Sequence, residues 1–402
     1  MVVIEVFHMT RNICFVGDLF AGGTLLDKKP RNRIYSATYR NADFRIANLE
    51  HPVGTGQSIP RKSTLHAPPE AIDHLLEFDI DAVSLANNHV HDLGSDGIDE
   101  TIRHLQSAGI EYFGAGRSIH EASEPFRVDD DLVIFGYCDY DSPSLTKIQV
   151  ATENSPGINP LERQRVKSDL AGLDSNTQAI LFVHWGIENI WIPPSRVVAL
   201  ANDLLRLPKV AGIVGSHPHR VQGYLSSNEK RAYFSMGDVL FPDFYIESPV
   251  SVINELPPGT GSMYETKRYH PVTEITKKTW PRLSRASLLV SYDLQQGRFD
   301  HTPLYQTSSD LSVYELVGTN NDLVQFWVSF LSHLVKRSSL VNQLVLGFNQ
   351  TAYNIWNIFG ILLFLYRQNG ARWMIDFLST TIRAKIDPGI DANDHLYEFF
   401  SN

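Results

Sequence analysis

Asp81-Ala-Val-Ser-Leu-Ala-Asn-Asn-His-Val-His-Asp-Leu-Gly94 is the stretch whose reading decides the fold. Ala82, Val83, Leu85 and Ala86 make a short apolar run of buried-strand type. Asn87, Asn88, His89, His91 and Asp92 follow with no apolar spacing, and Gly94, Ser95, Asp96 and Gly97 form a turn. Ile98, Ile102 and Leu105 then recur on one helical face, and the run stops at Gly109. The order is strand, polar loop, helix. In open α/β sheets the loop at the carboxyl end of a strand is where ligands bind.

The same order recurs on both sides of this stretch. Asn12 to Val16 reads as a core strand that runs into Gly17-Asp18 and the pair Gly22-Gly23. Arg45 to Leu49 ends in Asn48 and Glu50, with Pro52 closing the run. Leu132 to Cys138 is a further strand, and Ala179 to Val183 delivers His184-Trp185-Gly186. Val210 to Val214 delivers Gly215-Ser-His217-Pro-His219, and Ala232 to Met236 delivers Gly237-Asp238. Six apolar runs therefore end in Asp18, Glu50, Asn88-His89, His184, His217/His219 and Asp238. One such loop is an ordinary turn; six imply a shared rim on which oxygen ligands and imidazoles converge.

Composition narrows the class. An apolar content of 43% suffices for a sizeable core, and a net charge of -10 argues against a general nucleic-acid binder. Cys14 and Cys138 each adjoin an apolar run, so they read as reduced core thiols, and the cytoplasm is the expected compartment. The N-terminus shows no signal-peptide pattern, and the apolar window Ile355 to Tyr366 is too short to span a bilayer. Residues 248 to 281 are proline-rich and aperiodic. From 312 to 402 the chain turns apolar and helical in character, which sets the expected division: a core domain over 1–311 and a helical cap or accessory domain over 312–402.

Asp, Glu, Asn and His without cysteine suit a divalent cation such as Mn, Zn, Fe, Mg or Ca. Asp18 and Glu50 are the candidate carboxylate ligands, Asn88 offers a neutral amide oxygen, and His184, His217 and His219 complete the set. His217 and His219, at i and i+2, point the same way if the backbone there is extended. His89 is the candidate proton donor and Asp92 the carboxylate that orients it, with His184 also counted among the catalytic groups. Asn87, Trp185, Glu188 and Arg61 are the candidate substrate contacts. A metal at such a rim serves hydrolysis. It equally serves epimerisation, in which a polarised amide carbonyl acidifies its α-hydrogen.

Five blocks carry a family resemblance: Val16-Gly-Asp18, Asn48-Leu-Glu50-His-Pro52, Leu85-Ala-Asn-Asn-His89 through Asp92-Leu-Gly94 and Gly97, His184-Trp-Gly186-Ile-Glu188, and Gly215-Ser-His-Pro-His219 followed by Val221-Gln222. Over roughly residues 12 to 300 the chain resembles the CapA family of poly-gamma-glutamate capsule-synthesis proteins, relatives of calcineurin-like metallophosphoesterases. The resemblance implies an α/β fold, a four-layer α/β/β/α metallophosphoesterase-like sandwich with an additional C-terminal helical region. It implies a divalent metal held by Asp18, Glu50, Asn88, His184, His217 and His219, with His89 beside it. It implies a hydrolase acting on a phosphoester or a polyglutamyl or peptide bond, hence a small-molecule or peptide substrate. Three positions depart from the pattern. Phe20 stands where metallophosphoesterases carry a histidine, Gly23 where the family often has arginine, and Ser235-Met-Gly-Asp238 where it has serine-leucine-glycine-asparagine. The first leaves room for a single metal, and with the helical addition it suits peptide epimerisation of the kind found beside ribosomal-peptide pathways. No anchor of the family's type is legible, which points away from a direct part in export. A non-catalytic binding protein that kept the fold is the third reading.

Overall fold

The computed structural model describes residues 12–59, 64–140, 148–246 and 276–336, together with Leu344, Gly347 and Thr351. All but Thr276 and Thr351 fall in one compact unit. In chain order its strands begin with β1 (Asn12–Leu19), β2 (Ile34–Tyr35), β3 (Phe44–Leu49), β4 (Ala82–Ser84), β5 (Glu111–Phe113), β6 (Phe126–Arg127), β7 (Leu132–Cys138) and β8 (Gln178–His184). They continue with β9 (Val210–Ser216), β10 (Tyr224–Ser227), β11 (Lys230–Tyr233), β12 (Asp238–Leu240), β13 (Ala286–Asp293), β14 (Arg298–Gln306) and β15 (Val313–Glu315). The helices that matter here are α1 (Ala71–Glu77), α2 (Gly94–Ala108), α3 (Arg163–Ala171), α4 (Ser195–Leu205) and α5 (Gly318–Val335).

Among the described residues these strands form two large sheets. The first runs β2-β15-β14-β13-β1-β3-β4-β5, with β12 paired to the end of β1. The second runs β10-β11-β9-β8-β7-β6. In the first, β1, β3, β4 and β5 are mutually parallel; in the second, β7, β8, β9 and β11 are. Parallel strands are buried on both faces, which is why these segments read as unbroken apolar runs.

Period-2 alternation divides each strand between two cores. Ile13 and Phe15 of β1 join Ile180 and Phe182 of β8 and Val214 of β9 between the sheets. The Phe15 and Phe182 rings meet edge-on at 6.1 Å. Cys14 and Val16 face the other way, onto Leu75 of α1 and Ile98, Ile102 and Leu105 of α2. On the far side, Ala179, Leu181 and Val183 pack on Val166 and Leu170 of α3 and Val197, Ala201 and Leu204 of α4. The chain is thus an α/β sandwich: sheet against sheet, with helices outside. Truncating one of the central rings to alanine costs about 3–5 kcal/mol at a site of this kind. Both cysteines are fully buried free thiols, and burial pushes Cys14 up to about 12.

Two local features set the geometry of the rim. Helix α2 ends at Gly109, whose φ of 72° is the left-handed turn that stops a helix. At Gly17 the register between β1 and β3 slips, so that Val16 pairs with Ala47 but Asp18 with Asn48. The extra residue re-aims Asp18. Glycine is required there, because a Cβ on Gly17 would lie 1.7 Å from the Gly237 carbonyl oxygen.

Beyond residue 311, β15 pairs with β14 and β2 at the edge of the first sheet. Helix α5 buries Val328, Leu331 and Val335, and its Ser332 hydroxyl accepts the Tyr224 N–H at 2.9 Å. The rest of the expected helical region, apart from Leu344, Gly347 and Thr351, lies outside the described residues, as does the proline-rich stretch up to residue 275. Among the described residues no helix is long and apolar enough to cross a membrane.

Candidate metal centre

The ends of β1, β3, β8 and β9, with the loop after β4, bring the expected ligands together. Asp18, Glu50, His184 and His217 are essentially inaccessible, and Asn88 and His219 are 5% exposed. Two groups form within metal-ligating reach: Glu50 with His184 and His217, and Asp18 with Glu50 and His219. Glu50 belongs to both.

Each ligand candidate is held by a named neighbour. Asp18 Oδ1 accepts from Asn48 Nδ2 at 2.7 Å, and Oδ2 accepts from the His217 backbone N–H at 3.0 Å. His184 Nδ1 lies 2.9 Å from the Ser216 hydroxyl, and Nε2 lies 2.8 Å from Asn88 Oδ1. His219 Nδ1 lies 2.8 Å from Asp238 Oδ1. The backbone of the histidine loop is not extended. His217 and His219 have φ of 97° and 51°. Left-handed conformations of this sort cost of order 1–3 kcal/mol each and concentrate at functional sites. The i,i+2 argument from extended backbone is therefore corrected: both imidazoles reach the centre, but from a strained turn that sends them to different groups. Their ring centroids stand 6.3 Å apart.

The donor set fits a divalent cation. Both carboxylate oxygens of Glu50 are buried and accept no hydrogen bond. A buried carboxylate without donors is costly, and a cation between Glu50 and the imidazoles, whose Nε2 atoms lie 3.6 and 3.7 Å from its Oε1, is the partner it lacks. Burial, then the Asp18 charge, pushes the Glu50 carboxyl well above its ordinary range. Burial raises Asp18 to about 6 although His219 pulls it down. Burial and the neighbouring imidazoles hold His184 well below the usual histidine value. Burial works against a proton on His219, yet Glu50, Asp238 and Asp18 outweigh it and raise His219 to about 10. A cation at the centre would favour the charged carboxylates and the neutral imidazoles.

His89 and Asp92 stand as a pair beside this cluster. His89 Nδ1 is 2.6 Å from Asp92 Oδ2, and that oxygen also accepts the Leu65 N–H at 2.7 Å. Asp92 is fully buried, whereas the His89 side chain is 13% exposed. The remaining expectations land elsewhere. Asn87 is buried, and its amide braces the loop: it donates to Asn48 Oδ1 and the Leu49 carbonyl and accepts the His89 and Val90 N–H groups. Trp185 sits in the outer core against Phe234, and its indole N–H donates to the Phe234 carbonyl at 2.8 Å. Glu188 is partly buried and near enough for its charge to raise Glu50. Arg61 lies outside the described residues.

Sequence reasoning gave no role to three residues that hold the centre. Asn48 hydrogen-bonds Asp18, and Trp280 donates to Asp238 Oδ2 at 2.8 Å. His51 Nε2 accepts the Ala21 N–H at 3.0 Å while Nδ1 donates to the Pro52 carbonyl, and burial lowers it to about 4. His51 is thus a neutral strut. Its place beside Glu50, inside the block Asn48-Leu-Glu50-His-Pro52, was the signal available. Phe20, at the departure from the phosphoesterase pattern, packs with Leu65, Phe241, Phe244 and Trp280.

An α/β sandwich with a buried carboxylate–imidazole cluster at one rim is consistent with a protein that binds a divalent metal. Residues 12–243 match the family described as bacterial capsule synthesis protein PGA_cap, and the chain belongs to that family. It is 27% identical to the capsule biosynthesis protein CapA of Bacillus anthracis over 52% of this chain and 53% of that one. It is 23% identical to the PGA biosynthesis protein CapA of Bacillus subtilis over 56% and 62%, respectively. A probable polyglutamine synthesis accessory protein of Mycobacterium tuberculosis is 27% identical over 49% and 55%. The matches thus span little more than half the length of these relatives. Among solved structures, the calcineurin-like phosphoesterase YfkN of Bacillus subtilis aligns with 84% of this chain and 99% of that chain at 12% identity, with a TM-score of 0.31.

Proposed function

We propose that the protein is a metal-dependent hydrolase acting on a phosphoester or on a polyglutamyl or peptide bond, and that its sandwich is the four-layer metallophosphoesterase type. The observation that carries this is Glu50: a buried, donorless carboxylate shared by two ligand groups, next to a histidine–carboxylate pair. Asp18, Glu50 and His219 would hold one divalent ion, and Glu50, His184 and His217 a second, with Asn88 adjoining through its amide oxygen. A divalent ion held there would supply Lewis-acid chemistry that polarises the scissile group and lowers the pKa of water. The chain's own residues do the rest. Asp92 fixes His89 by its Nδ1, so Nε2 is the nitrogen that exchanges a proton with the leaving group. Asn87 holds the loop that carries both, by taking the His89 and Val90 N–H groups. Burial of the ligands keeps bulk water from competing for them.

Elemental analysis of the purified protein and turnover of an aryl phosphate and of γ-glutamyl peptides with added Mn²⁺ test this reading. His89→Ala is expected to lower kcat by ~10²–10⁴ while bound metal is retained. No hydrolysis of either substrate class by a metal-loaded protein sinks the hydrolase assignment. Epimerisation at an amino-acid α-carbon is the second reading, favoured by Phe20: its ring lies in an apolar cluster, so the centre has one nitrogen donor fewer than the phosphoesterase pattern. Incorporation of one deuteron at an α-carbon of a peptide in D₂O, without cleavage, selects it.

A further inference from the structure

We infer that Asp238 and Trp280 together decide which nitrogen of His219 is offered to the metal. The inference rests on the metal centre and is independent of which bond is cleaved there. Asp238 opens β12, pairs in register with Asp18, and is fully buried. Two donors converge on its carboxylate. His219 Nδ1 lies 2.8 Å from Oδ1, and the Trp280 indole N–H donates to Oδ2 at 2.8 Å. An indole nitrogen can only donate. Its ring cannot swing away, because Trp280 is stacked on Phe241 at 4.0 Å and meets His219 edge-on at 5.2 Å. Phe20, Leu65 and Phe244 complete the apolar cluster around the indole.

A carboxylate has two acceptor oxygens and satisfies both donors at once. The proton of a neutral His219 then sits on Nδ1, and Nε2, 3.7 Å from Glu50 Oε1, keeps the lone pair that binds an ion. A carboxamide of the same shape can satisfy only one. If its oxygen stays with Trp280, its NH₂ faces Nδ1. Nδ1 then faces a donor, with Asp18 Oδ2 at 3.5 Å the remaining acceptor near it, so the proton shifts toward Nε2, where it blocks ligation. Asp238 is thus a positioning residue acting through His219, and Trp280 is what makes a carboxylate obligatory at that position. Carboxylates behind a ligating histidine contribute ~10–100-fold to metal affinity.

Metal-stripped full-length protein, titrated with Mn²⁺ and Zn²⁺ against a competing chelator, tests this. Asp238→Asn should weaken binding ~10–100-fold with an unchanged circular-dichroism spectrum. Trp280→Phe alone should weaken it less. In the double variant the amide is released to turn its oxygen toward Nδ1, so affinity should recover from that of Asp238→Asn alone. A role in packing only predicts the opposite, since the second change adds a second defect. Equal affinity of Asp238→Asn and the parent protein, or a double variant no tighter than Asp238→Asn, overturns the inference and leaves the metal centre standing. Absence of binding by the parent protein overturns both.

Discussion

The Glu50 carboxylate imposes a cost on the folded chain that only a cation removes, and the cost has a pH signature. His219 rises from 6.5 to about 10 because Glu50, Asp238 and Asp18 surround it, against the opposing effect of burial. A histidine that binds its proton more tightly folded than unfolded stabilises the fold fully below pH 6.5. That contribution is lost as pH rises through 10. Glu50, whose carboxyl is also raised, acts in the same direction, because charging it disfavours the folded state. His184, held low, is already neutral above 6.5 and contributes nothing to this slope. The metal-free protein should therefore lose thermal stability steadily between pH 6.5 and 10. Saturating Mn²⁺ should flatten the profile, and Glu50→Gln should flatten it without metal. Melting temperatures across that range, with and without chelator, check this, and a metal-free Tm that rises with pH refutes it.

Strand ends and helix ends decide where these residues sit. Two glycines separate steric from conformational need. Nothing lies within 4 Å of a Cβ built on Gly109, so only its φ of 72° resists substitution. Gly109→Ala should cost ~1–2 kcal/mol of backbone strain. At Gly17 the obstacle is the Gly237 backbone itself, and relief requires parting β1 from the turn that carries Asp238. Gly17→Ala should cost more than ~4 kcal/mol and abolish metal binding. Urea denaturation of the two variants ranks them, and equal costs would show that the approach of the two strands is looser than described. Much at this scale was legible in the sequence, because buried parallel strands are continuous apolar runs, although β1 runs on to Leu19 past Val16 and β4 stops at Ser84 short of Ala86. Helix α3 was not legible: Val166 and Leu170 are its only buried residues, too few to print a periodicity. Strand β14 tolerates Pro303, a residue that normally argues against a strand. The ligand types were readable from clustered polar residues at strand ends. Their division into two groups was not, because it follows from the positive φ of His217 and His219, which nothing in Gly-Ser-His-Pro-His announces.

Across the whole molecule, the centre joins the two sheets. Asp18 and Glu50 stand at the ends of strands of the first, and His184, His217 and His219 at the ends of strands of the second. An ion held by Asp18 and His219 would close a loop of similar span to the one that the Asp18–His217 hydrogen bond, between positions 199 residues apart, already closes. The entropy of closure grows only with the logarithm of loop length, so it is met once, when the sheets dock. Ligands that far apart in sequence are expected to meet after the folding barrier. Metal should therefore slow unfolding, by up to ~100-fold at ~100 times its dissociation constant, and leave the refolding rate unchanged. Stopped-flow refolding and unfolding with and without Mn²⁺ distinguish this from a metal that nucleates folding, which would accelerate refolding instead.

The hydrogen bond from Trp280 to Asp238 adds a temporal consequence. During synthesis Asp18 leaves the ribosome first, and the chain must extend 42 residues past Asp238 before the indole that clamps it exists. A nascent chain can gather carboxylates and imidazoles long before that, but it cannot present His219 in its fixed form. Full metal affinity is therefore expected of the finished protein and not of the growing chain.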